Sequence, residues 1–489
     1  MEAAAPPPLE TIVSAPAEQI STTSVATTGV ATTAPVSAPA RPADRPAATA
    51  PHALEADLDT ATAPDALEVA TSDPIGALLD YQGSGNAPAA AGEAFPVIPR
   101  PRPTDRPVAS LGHAVDPLED MIGQMIMIGF SGASSDDAWP RLLVSQIASG
   151  QIGGIMYTRK NVAGRAAVQA MNRQFQAAAG DRPLFISVDQ EGGRIERLTQ
   201  AVGFREIPSH QSVAQSMSVE GAEALYRDLA LDLRDWGFNL NFGPVVDLNI
   251  NPGNPIIGSL GRAFARDADA VAAYGAAFVR GHHQAGVLTA AKHFPGHGSS
   301  AGDTHHGFVD VSRTWSESEL EPYRRLIATG EIDLVMLSHI SLDRLGSDAP
   351  ATLAPGTMPL LRNQLGFAGV VISDDMEMGA ISKEYSLEQA VIGAVEAGND
   401  ILIYSNFQNP RPQLPPQIIA ILKQRALADP AFRAKIEAAY GRIMKLKSRL
   451  RTTAPRDNGA AATAPTTVAD GERRFVVPDL DRLTAPSPN

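Results

Sequence analysis

The sequence predicts a (β/α)8 barrel in a single catalytic domain, because eight short apolar, β-branched runs alternate with stretches of helical periodicity along its central part. The apolar runs cover residues 124–130, 151–157, 183–189, 238–248, 287–294, 333–339, 369–374 and 400–404. The helical stretches include residues 221–236, 268–285, 316–329 and 387–397. A doubly wound open sheet is the alternative, but no glycine-rich phosphate loop follows the first run.

Polar, chemically reactive segments follow several of these runs, and their position supports the barrel. DQEGGR ends the third run, KHFPGHG the fifth, His339 the sixth and Ser373-Asp374-Asp375 the seventh. In a barrel the carboxyl ends of the strands meet at one face, where the active site is built. The sequence therefore predicts that these segments converge on one site.

The composition excludes several classes of protein. The chain has 489 residues, of which 44% are hydrophobic, and this is ample for a large core. Its formal net charge of -14 argues against a general nucleic-acid-binding protein, which needs clustered Lys and Arg. The lack of cysteine excludes disulfides, thiolate nucleophiles and cysteine-based metal sites. A soluble enzyme that acts on a neutral or sugar-like substrate fits these observations.

The two ends of the chain differ from its centre. The N-terminal segment is rich in Ala, Pro and Thr, and it cannot bury enough apolar surface to offset its ordering entropy. We expect a disordered segment, with a tether or spacer as the alternative. The predicted organisation is a disordered segment 1–111, a barrel 112–452 and a flexible tail 453–489.

The same sequence gives expectations about location. No apolar run approaches the ~18 residues of a membrane helix, so no membrane insertion is expected. The first residues lack the basic and apolar regions of a signal peptide. We therefore expect a cytoplasmic protein, or an exported or periplasmic one if a leader is missing from this sequence.

Asp374 is the first candidate catalytic residue, because the strand-like run VVIS leads directly into it. Burial of a charge is costly, so an acid at the tip of a buried strand is either paired or reactive. A carboxylate at a barrel mouth can attack an anomeric carbon. The alternative is a residue that caps the next helix, and Asp375 suits that role well.

The segment from Lys292 to Gly307 concentrates four histidines, one lysine and one aspartate, and its proline and glycines predict a shaped loop. Zinc is one interpretation, but barrels of the amidohydrolase type need His-x-His after the first strand, which reads QMIMIGF here. Proton transfer is another, because Asp303 lies close enough in sequence to orient His305 and raise its basicity. The third interpretation is that these are polar loop residues without a catalytic role.

Two further segments, DQEGGRIERL and GSLGRAFARD, place acids and arginines beside glycine turns. Such residues suit hydrogen bonds to vicinal hydroxyls, although charged loop residues are usually only solvated.

Taken together, residues 116–450 resemble glycoside hydrolase family 3, and in particular its β-N-acetylglucosaminidase branch. KHFPGHG followed by a D-[ST]-H triplet is specific for that branch. The glucosidases of the family share the Lys-His pair and the Ser-Asp strand tip, but not this loop. The resemblance implies a barrel, retaining chemistry without a metal or organic cofactor, and an N-acetylglucosaminide substrate from peptidoglycan fragments or chitin oligosaccharides.

The resemblance also implies roles for particular residues. Asp374 matches the nucleophile, and Asp303 with His305 matches the acid/base dyad, with His306 as the alternative one residue along. The residues that match those holding the sugar hydroxyls and the acetamido group are Asp189, Arg197, Arg262, Lys292 and His293. Only a short tail follows the barrel, so we expect a site built from one domain, and a monomer with a saccharide as its partner.

Three other functions stay open on the sequence. A β-glucosidase-like activity would keep the nucleophile and change the sugar. A zinc-dependent amidohydrolase-type barrel would lose activity in chelator. A catalytically silent sugar-binding protein would bind without turnover, and the intact set of Asp374, Asp303 and His305 argues against it.

Overall fold

The computed structural model describes residues 116–406 and 410–453, and in this part of the chain eight parallel strands close into a barrel. Their bounds are β1 Ile126–Ile128, β2 Gly154–Tyr157, β3 Phe185–Val188, β4 Leu240–Asn241, β5 Leu288–Phe294, β7 Leu334–Leu337, β9 Val370–Asp375 and β10 Ile401–Tyr404. These strands follow one another around the barrel in the order β1, β10, β9, β7, β5, β4, β3, β2. The predicted (β/α)8 barrel is thus confirmed. The predicted segment 1–111 and nearly all of the predicted tail lie outside the described residues.

Helices alternate with these strands. Their bounds are α1 Pro117–Gln124, α2 Ala138–Ala148, α3 Arg165–Ala179, α4 His210–Ser216, α5 Val219–Trp236, α6 Ala268–Gln284, α7 Glu321–Thr329, α8 Gly379–Ser382, α9 Leu387–Glu396, α10 Leu414–Ala428 and α11 Pro430–Thr453. Two short strands, β6 (Val309–Asp310) and β8 (Ile340–Ser341), pair in parallel outside the barrel. None of the helices in residues 116–406 and 410–453 is long and apolar enough to cross a membrane.

Each of the eight predicted runs coincides with one barrel strand, and the four predicted helical stretches coincide with α5, α6, α7 and α9. Strand β9 extends one residue beyond its predicted run, and α5 begins two residues before its predicted stretch. The prediction was wrong for the length of the fourth run, because only Leu240–Asn241 is regular strand there. Pro244 has no N–H to donate to a neighbouring strand. Val245 pairs again with Lys292 as an isolated parallel bridge, so the segment still follows the barrel wall.

The strands read as continuous apolar runs because the barrel interior covers one face and the helices cover the other. All seven residues of β5 are buried, as are all four of β2. An aromatic cluster packs edge to face beside β1 and β2, with 5.0 Å between the ring centroids of Phe130 and Tyr157 and 5.0 Å between those of Tyr157 and Phe238.

Several helices have first turns that are capped by short polar side chains. Ser218 accepts the backbone N–H of Gly221 at the start of α5, and Asp267 accepts that of Ala270 at the start of α6. Ser386 and Gln389 form a reciprocal capping box at α9. These caps fix where α5, α6 and α9 begin, and therefore where the segments that precede them end.

The last helix of the described residues, α11, packs at the amino ends of the strands, opposite the predicted site. Lys447 is buried there, and its Nζ donates to Gln124 Oε1 at 2.6 Å and to the carbonyl of Gly153 at 2.7 Å. Arg442 of the same helix forms an ion pair with Asp400 at 2.7 Å, immediately before β10. Contacts at this face of a barrel serve stability and leave the other face to function.

Candidate active site

A cavity of about 840 Å³, its open mouth included, lies among the loops at the carboxyl ends of the barrel strands. The sequence-predicted site residues meet there. Those that line the cavity are Asp189, Arg197, Arg262, Lys292, His293, His305 and Asp374. Asp303 does not line the cavity and instead contacts His305.

Asp374 projects from the end of β9, in the seventh run, and its carboxylate lines the cavity. Burial raises the pKa of Asp374, but the nearby imidazoles of His339, His293 and His305 outweigh that effect, and the pKa lies below its ordinary value. The backbone N–H of Asp375 also donates to Asp374 Oδ1 at 2.8 Å. The arrangement maintains an ionised carboxylate at the cavity wall.

Asp375 is not the helix cap that the sequence favoured. Helix α8 begins only at Gly379, after the cap residue Met378. The carboxylate of Asp375 accepts the backbone N–H groups of Glu377 and Ser405, both at 3.0 Å, and thereby ties the tips of β9 and β10 together. Burial and the charge of Glu377 raise the pKa of Asp375 to about 6.

The loop after β5 brings Asp303 and His305 together. Asp303 Oδ1 lies 2.7 Å from His305 Nδ1 and also accepts the backbone N–H of His305 at 2.8 Å. Burial lowers the pKa of His305, but the hydrogen bond and the charge of Asp303 more than offset that, so the pKa lies above its ordinary value. Because Nδ1 faces Asp303, Nε2 is the nitrogen left for a bound substrate.

His306 occupies a different position from His305. Its Nδ1 lies 3.2 Å from Asp303 Oδ2, but 64% of its side chain is exposed, compared with 24% for His305. Only His305 of the two lines the cavity. The geometry therefore places His305 at the point where a substrate would bind.

One wall of the cavity is a network of acidic and basic side chains that contact one another. Lys292 Nζ lies 2.8 Å from Asp189 Oδ1 and 2.6 Å from Glu191 Oε1. Arg262 makes a bidentate pair with Glu191, with both contacts at 2.8 Å. Arg197 approaches Asp189 at 3.4 Å. The predicted binding residues thus support one another through a shared pair of acids.

Glu191 contacts both Lys292 and Arg262 in this wall, and the sequence prediction missed it. Burial raises the pKa of Glu191, but the charges of Arg262 and Lys292 outweigh burial and hold that pKa well below its ordinary value. Burial lowers the pKa of Lys292, whereas Asp189 and Glu191 raise it, and the net shift is upward. Both groups are therefore ionised, and their charges are balanced inside the wall.

His293 is oriented by a second residue that sequence reasoning missed, Asp247. His293 Nδ1 lies 2.6 Å from Asp247 Oδ2, and Arg262 approaches the Nε2 atom of His293 at 3.3 Å. Asp247 also accepts the backbone N–H of His297 at 2.8 Å, so one buried carboxylate fixes both an imidazole and the following loop. The signal was present, because Asp247 lies near the end of an apolar run, as Asp374 does.

Glu319 also anchors the loop that follows β5. Its Oε2 accepts the backbone N–H of Gly298 at 3.0 Å. Burial raises the pKa of Glu319 to about 7. A Cβ atom at Gly296 would lie 2.6 Å from the Cβ atom of Glu319, so the loop can pack this closely only with glycine there. No motif marks Glu319 in the sequence.

Three histidines of this region contact carboxylates. Within residues 116–406 and 410–453, no three His, Asp or Glu side chains are grouped as ligands for a metal ion. His293 contacts Asp247, while His305 and His306 share Asp303. An imidazole paired with a carboxylate suits orientation and proton transfer.

Comparison with known proteins defines the class. Residues 117–446 match the N-terminal domain of glycosyl hydrolase family 3. The chain belongs to this family, and it is a glycoside hydrolase.

Two kinds of relative show the extent of the similarity. The chain is 33% identical over 326 residues to the β-hexosaminidase LpqI of Mycobacterium tuberculosis. This match covers 64% of this chain and 79% of that protein. A family 3 β-N-acetylglucosaminidase from a Paenibacillus species superimposes with a TM-score of 0.62 at 35% identity, covering 72% of this chain and 66% of that one. A β-N-acetylhexosaminidase from Beutenbergia cavernae superimposes with a TM-score of 0.63 at 30% identity, covering 68% of this chain and 99% of that one.

Proposed function

We propose that this protein is a retaining exo-β-N-acetylglucosaminidase that removes terminal β-linked N-acetylglucosamine. The observation that carries the proposal is the position of two groups on one cavity: Asp374 with a lowered pKa, and His305 with a raised pKa and an Asp303 partner. The similarity to proteins named β-hexosaminidase and β-N-acetylglucosaminidase supports the choice of sugar.

In the first step, an oxygen of Asp374 attacks C1 of the sugar and the bond from C1 to the leaving oxygen breaks. The protonated imidazole of His305 gives its Nε2 proton to that oxygen, so the aglycone departs as a neutral alcohol. The low pKa of Asp374 supplies the anion, and the raised pKa of His305 supplies the proton near neutral pH.

In the second step, the neutral Nε2 of His305 takes a proton from water. The water oxygen bonds to C1, the bond from C1 to Asp374 breaks, and the β configuration is restored. Asp303 keeps Nδ1 protonated throughout and stabilises the imidazolium in the first step.

The wall of Asp189, Arg197, Arg262, Lys292 and His293 would hold the sugar. Its donors and acceptors are already fixed by Glu191 and Asp247 before substrate arrives. Groups held in this way lose little freedom on binding, which favours affinity and a defined orientation.

The test compares two chromogenic substrates, a β-N-acetylglucosaminide and the matching β-glucoside, with a chelator as control. The proposal expects strong preference for the N-acetylated sugar, no effect of chelator, and β-N-acetylglucosamine as the first product by NMR. Preference for the glucoside would indicate a β-glucosidase, and loss of activity in chelator would indicate a metal enzyme.

For the natural substrate we propose N-acetylglucosamine joined to a muramic or anhydromuramic unit from peptidoglycan. The loop KHFPGHGSSAGDTH and its resemblance to the N-acetylglucosaminidase branch support this substrate. A higher kcat/KM for such a fragment than for a chitin disaccharide is expected. The reverse order would assign chitin oligosaccharides instead.

A further inference from the structure

The two segments that carry the proposed catalytic groups contact each other through their backbones. Gly379 N–H donates to the carbonyl of His305 at 3.1 Å, and Ala380 N–H donates to that of Thr304 at 3.1 Å. Lys383 Nζ donates to the carbonyl of His306 at 2.8 Å. Three consecutive carbonyls of the loop that carries Asp303 and His305 are therefore held by α8, the short helix that follows the nucleophile's strand, and by Lys383, the residue after it.

Gly379 determines how closely the loop approaches α8. A Cβ atom at this position would lie 2.6 Å from the carbonyl oxygen of His305 and 3.0 Å from the carbonyl carbon of His306. Both are backbone atoms, which cannot rotate away as the end of a flexible side chain can. Any side chain larger than hydrogen would thus force the backbone at His305 and the backbone at Gly379 apart.

The path from this contact to Asp374 is short and rigid. Only four residues separate Asp374 from Gly379 in the sequence. The turn between them is closed by the hydrogen bond from Met378 N–H to the carbonyl of Asp375 at 3.0 Å. A displacement at Gly379 is therefore a displacement of His305 relative to Asp374.

The other end of the loop is anchored independently of α8. The backbone N–H groups of His297 and Gly298 donate to the buried carboxylates of Asp247 and Glu319 at 2.8 and 3.0 Å. These anchors lie several residues before the dyad. They hold the base of the loop, whereas the contact with α8 holds the part that carries His305.

We propose that Gly379 is a positioning residue that sets the separation between the acid/base imidazole of His305 and the nucleophile Asp374. This inference rests on the proposed roles of those two residues. In glycosidases the separation of the two catalytic groups determines whether the protein or a water attacks C1. Proton delivery to the leaving oxygen depends on the same separation.

Gly379→Ala tests the proposal against a matched control. Gly393→Ala adds the same methyl group in α9, where the nearest atom would be Leu353 Cδ2 at an ordinary 3.5 Å. The measurement is kcat/KM for aryl β-N-acetylglucosaminides whose phenols differ in pKa. We expect Gly379→Ala to lose about 10- to 100-fold on the least acidic phenols, as a shift of about 1 Å can cause. It should change little on the most acidic ones, and Gly393→Ala should match the parent protein throughout.

Lys383→Met gives a second test that does not depend on packing, because this side chain is exposed. Its matched control is Lys435→Met, which removes another exposed lysine whose Nζ donates to a backbone carbonyl, that of Glu396, at 2.8 Å. Lys383→Met should lose about 2- to 10-fold on poor leaving groups, the range for one hydrogen bond. Lys435→Met should lose nothing. If Gly379→Ala does not fold, this pair decides the question.

His305→Ala, measured in parallel, separates this proposal from the proposed function. If His305→Ala loses poor leaving groups selectively but Gly379→Ala and Lys383→Met do not, the positioning role is wrong and the function stands. If Gly379→Ala loses all substrates equally, the contact is merely structural and the proposal is also wrong. If His305→Ala itself shows no selectivity, the proposed function fails, and this inference fails with it.

Discussion

One oxygen of Asp303 accepts two hydrogen bonds from the same residue, the imidazole Nδ1 of His305 at 2.7 Å and its backbone N–H at 2.8 Å. Contact at both the backbone and the ring fixes the position and the rotation of the imidazole. The same carboxylate also raises the pKa of His305 against the opposing effect of burial. Orientation and acidity of the proposed proton donor therefore have one origin, the Asp303 carboxylate.

Replacement of His305 by Ala should affect substrates unequally. A very acidic phenol leaves without protonation, whereas a disaccharide needs a proton on its leaving oxygen. Hydrolysis of the disaccharide should therefore slow by about 10²–10⁴-fold, the usual contribution of general acid catalysis, while kcat/KM for the activated aryl glycoside is largely retained. Steady-state kinetics on the two substrates gives the ratio.

His306→Ala is the matched control for this experiment, because His306 also contacts Asp303 but is mostly exposed. It should resemble the parent protein on both substrates. A selective defect in His306→Ala, with none in His305→Ala, would show that the neighbouring histidine is the proton donor.

Asp303→Asn should shift the pH dependence toward acid. The acid form of His305 is its protonated form, so kcat/KM falls as the pH rises through the raised pKa of His305. Loss of the Asp303 charge removes the cause of the upward shift in the pKa of His305, so the basic limb should move to lower pH. The lowered pKa of Asp374 keeps the nucleophile ionised over the range measured, so Asp374 should give no acidic limb there in either protein. The measurement is kcat/KM for a poor leaving group between about pH 4 and pH 9.

Asp310→Asn provides the comparison, because this aspartate is exposed and its side chain accepts hydrogen bonds from the backbone N–H and the hydroxyl of Ser312. Its profile should overlay that of the parent protein. A basic limb that stays in place in Asp303→Asn would remove Asp303 from the proton-transfer role.

Glu191→Gln should destabilise the fold strongly, because it leaves Arg262 and Lys292 in the buried wall without their shared anion. The expected loss is about 3–5 kcal/mol in the free energy of unfolding. Glu321→Gln, which breaks an exposed pair with Arg324, should lose less than about 1 kcal/mol. Urea denaturation measures both, and equal losses would show that the wall is not held by this ion pair.

The pH dependence of this effect has a definite sign. Folding lowers the pKa of Glu191, so its stabilising contribution is complete above the pKa of the unfolded carboxyl group. The contribution is lost as the pH falls through the folded-state pKa. The difference between the parent protein and Glu191→Gln should therefore shrink at strongly acidic pH, and a difference that grows there would contradict the charge assignment.

The predicted domain boundaries give a further test. A chain shortened to residues 112–452 should fold and keep the kcat/KM of the full chain on a small aryl substrate. The reason is that the terminal segments have too few apolar residues in their sequence to add to a core. Circular dichroism and the same kinetic assay check this. A loss of cooperative unfolding or of activity would place the boundary elsewhere.

The sequence predicted the barrel well because strands covered on both faces read as continuous apolar runs. It was less accurate where backbone hydrogen bonding decides the outcome. The run 238–248 is apolar throughout much of its length, yet Pro244 lacks the N–H that a regular strand would need. The pair of β6 and β8 was also missed, since two residues per strand are too few to show a period.

The site was predictable where an acid follows a buried run or a motif marks a loop, as for Asp374 and Asp303. Asp247 follows the same rule, but apolar residues continue after it as Leu248 and Ile250 and obscure the end of the run. Glu319 and Gly379 left no such signal. Their roles depend on which loop packs against them, and only the closed barrel determines that.

The central claim is that Asp374 forms a covalent bond to the sugar, and trapping the intermediate tests it most directly. A 5-fluoro N-acetylglucosaminide with a good leaving group should slow both steps through its electron-withdrawing fluorine while still allowing the first. Mass spectrometry of the digested protein should then find one fluorinated sugar on the peptide that contains Asp374, with fragmentation locating it there. Asp374→Asn should fold, acquire no label, and lose at least about 10³-fold in kcat, or about 4 kcal/mol of transition-state stabilisation. A label on Asp375 or Glu377, or turnover with inversion and no label, would contradict the account.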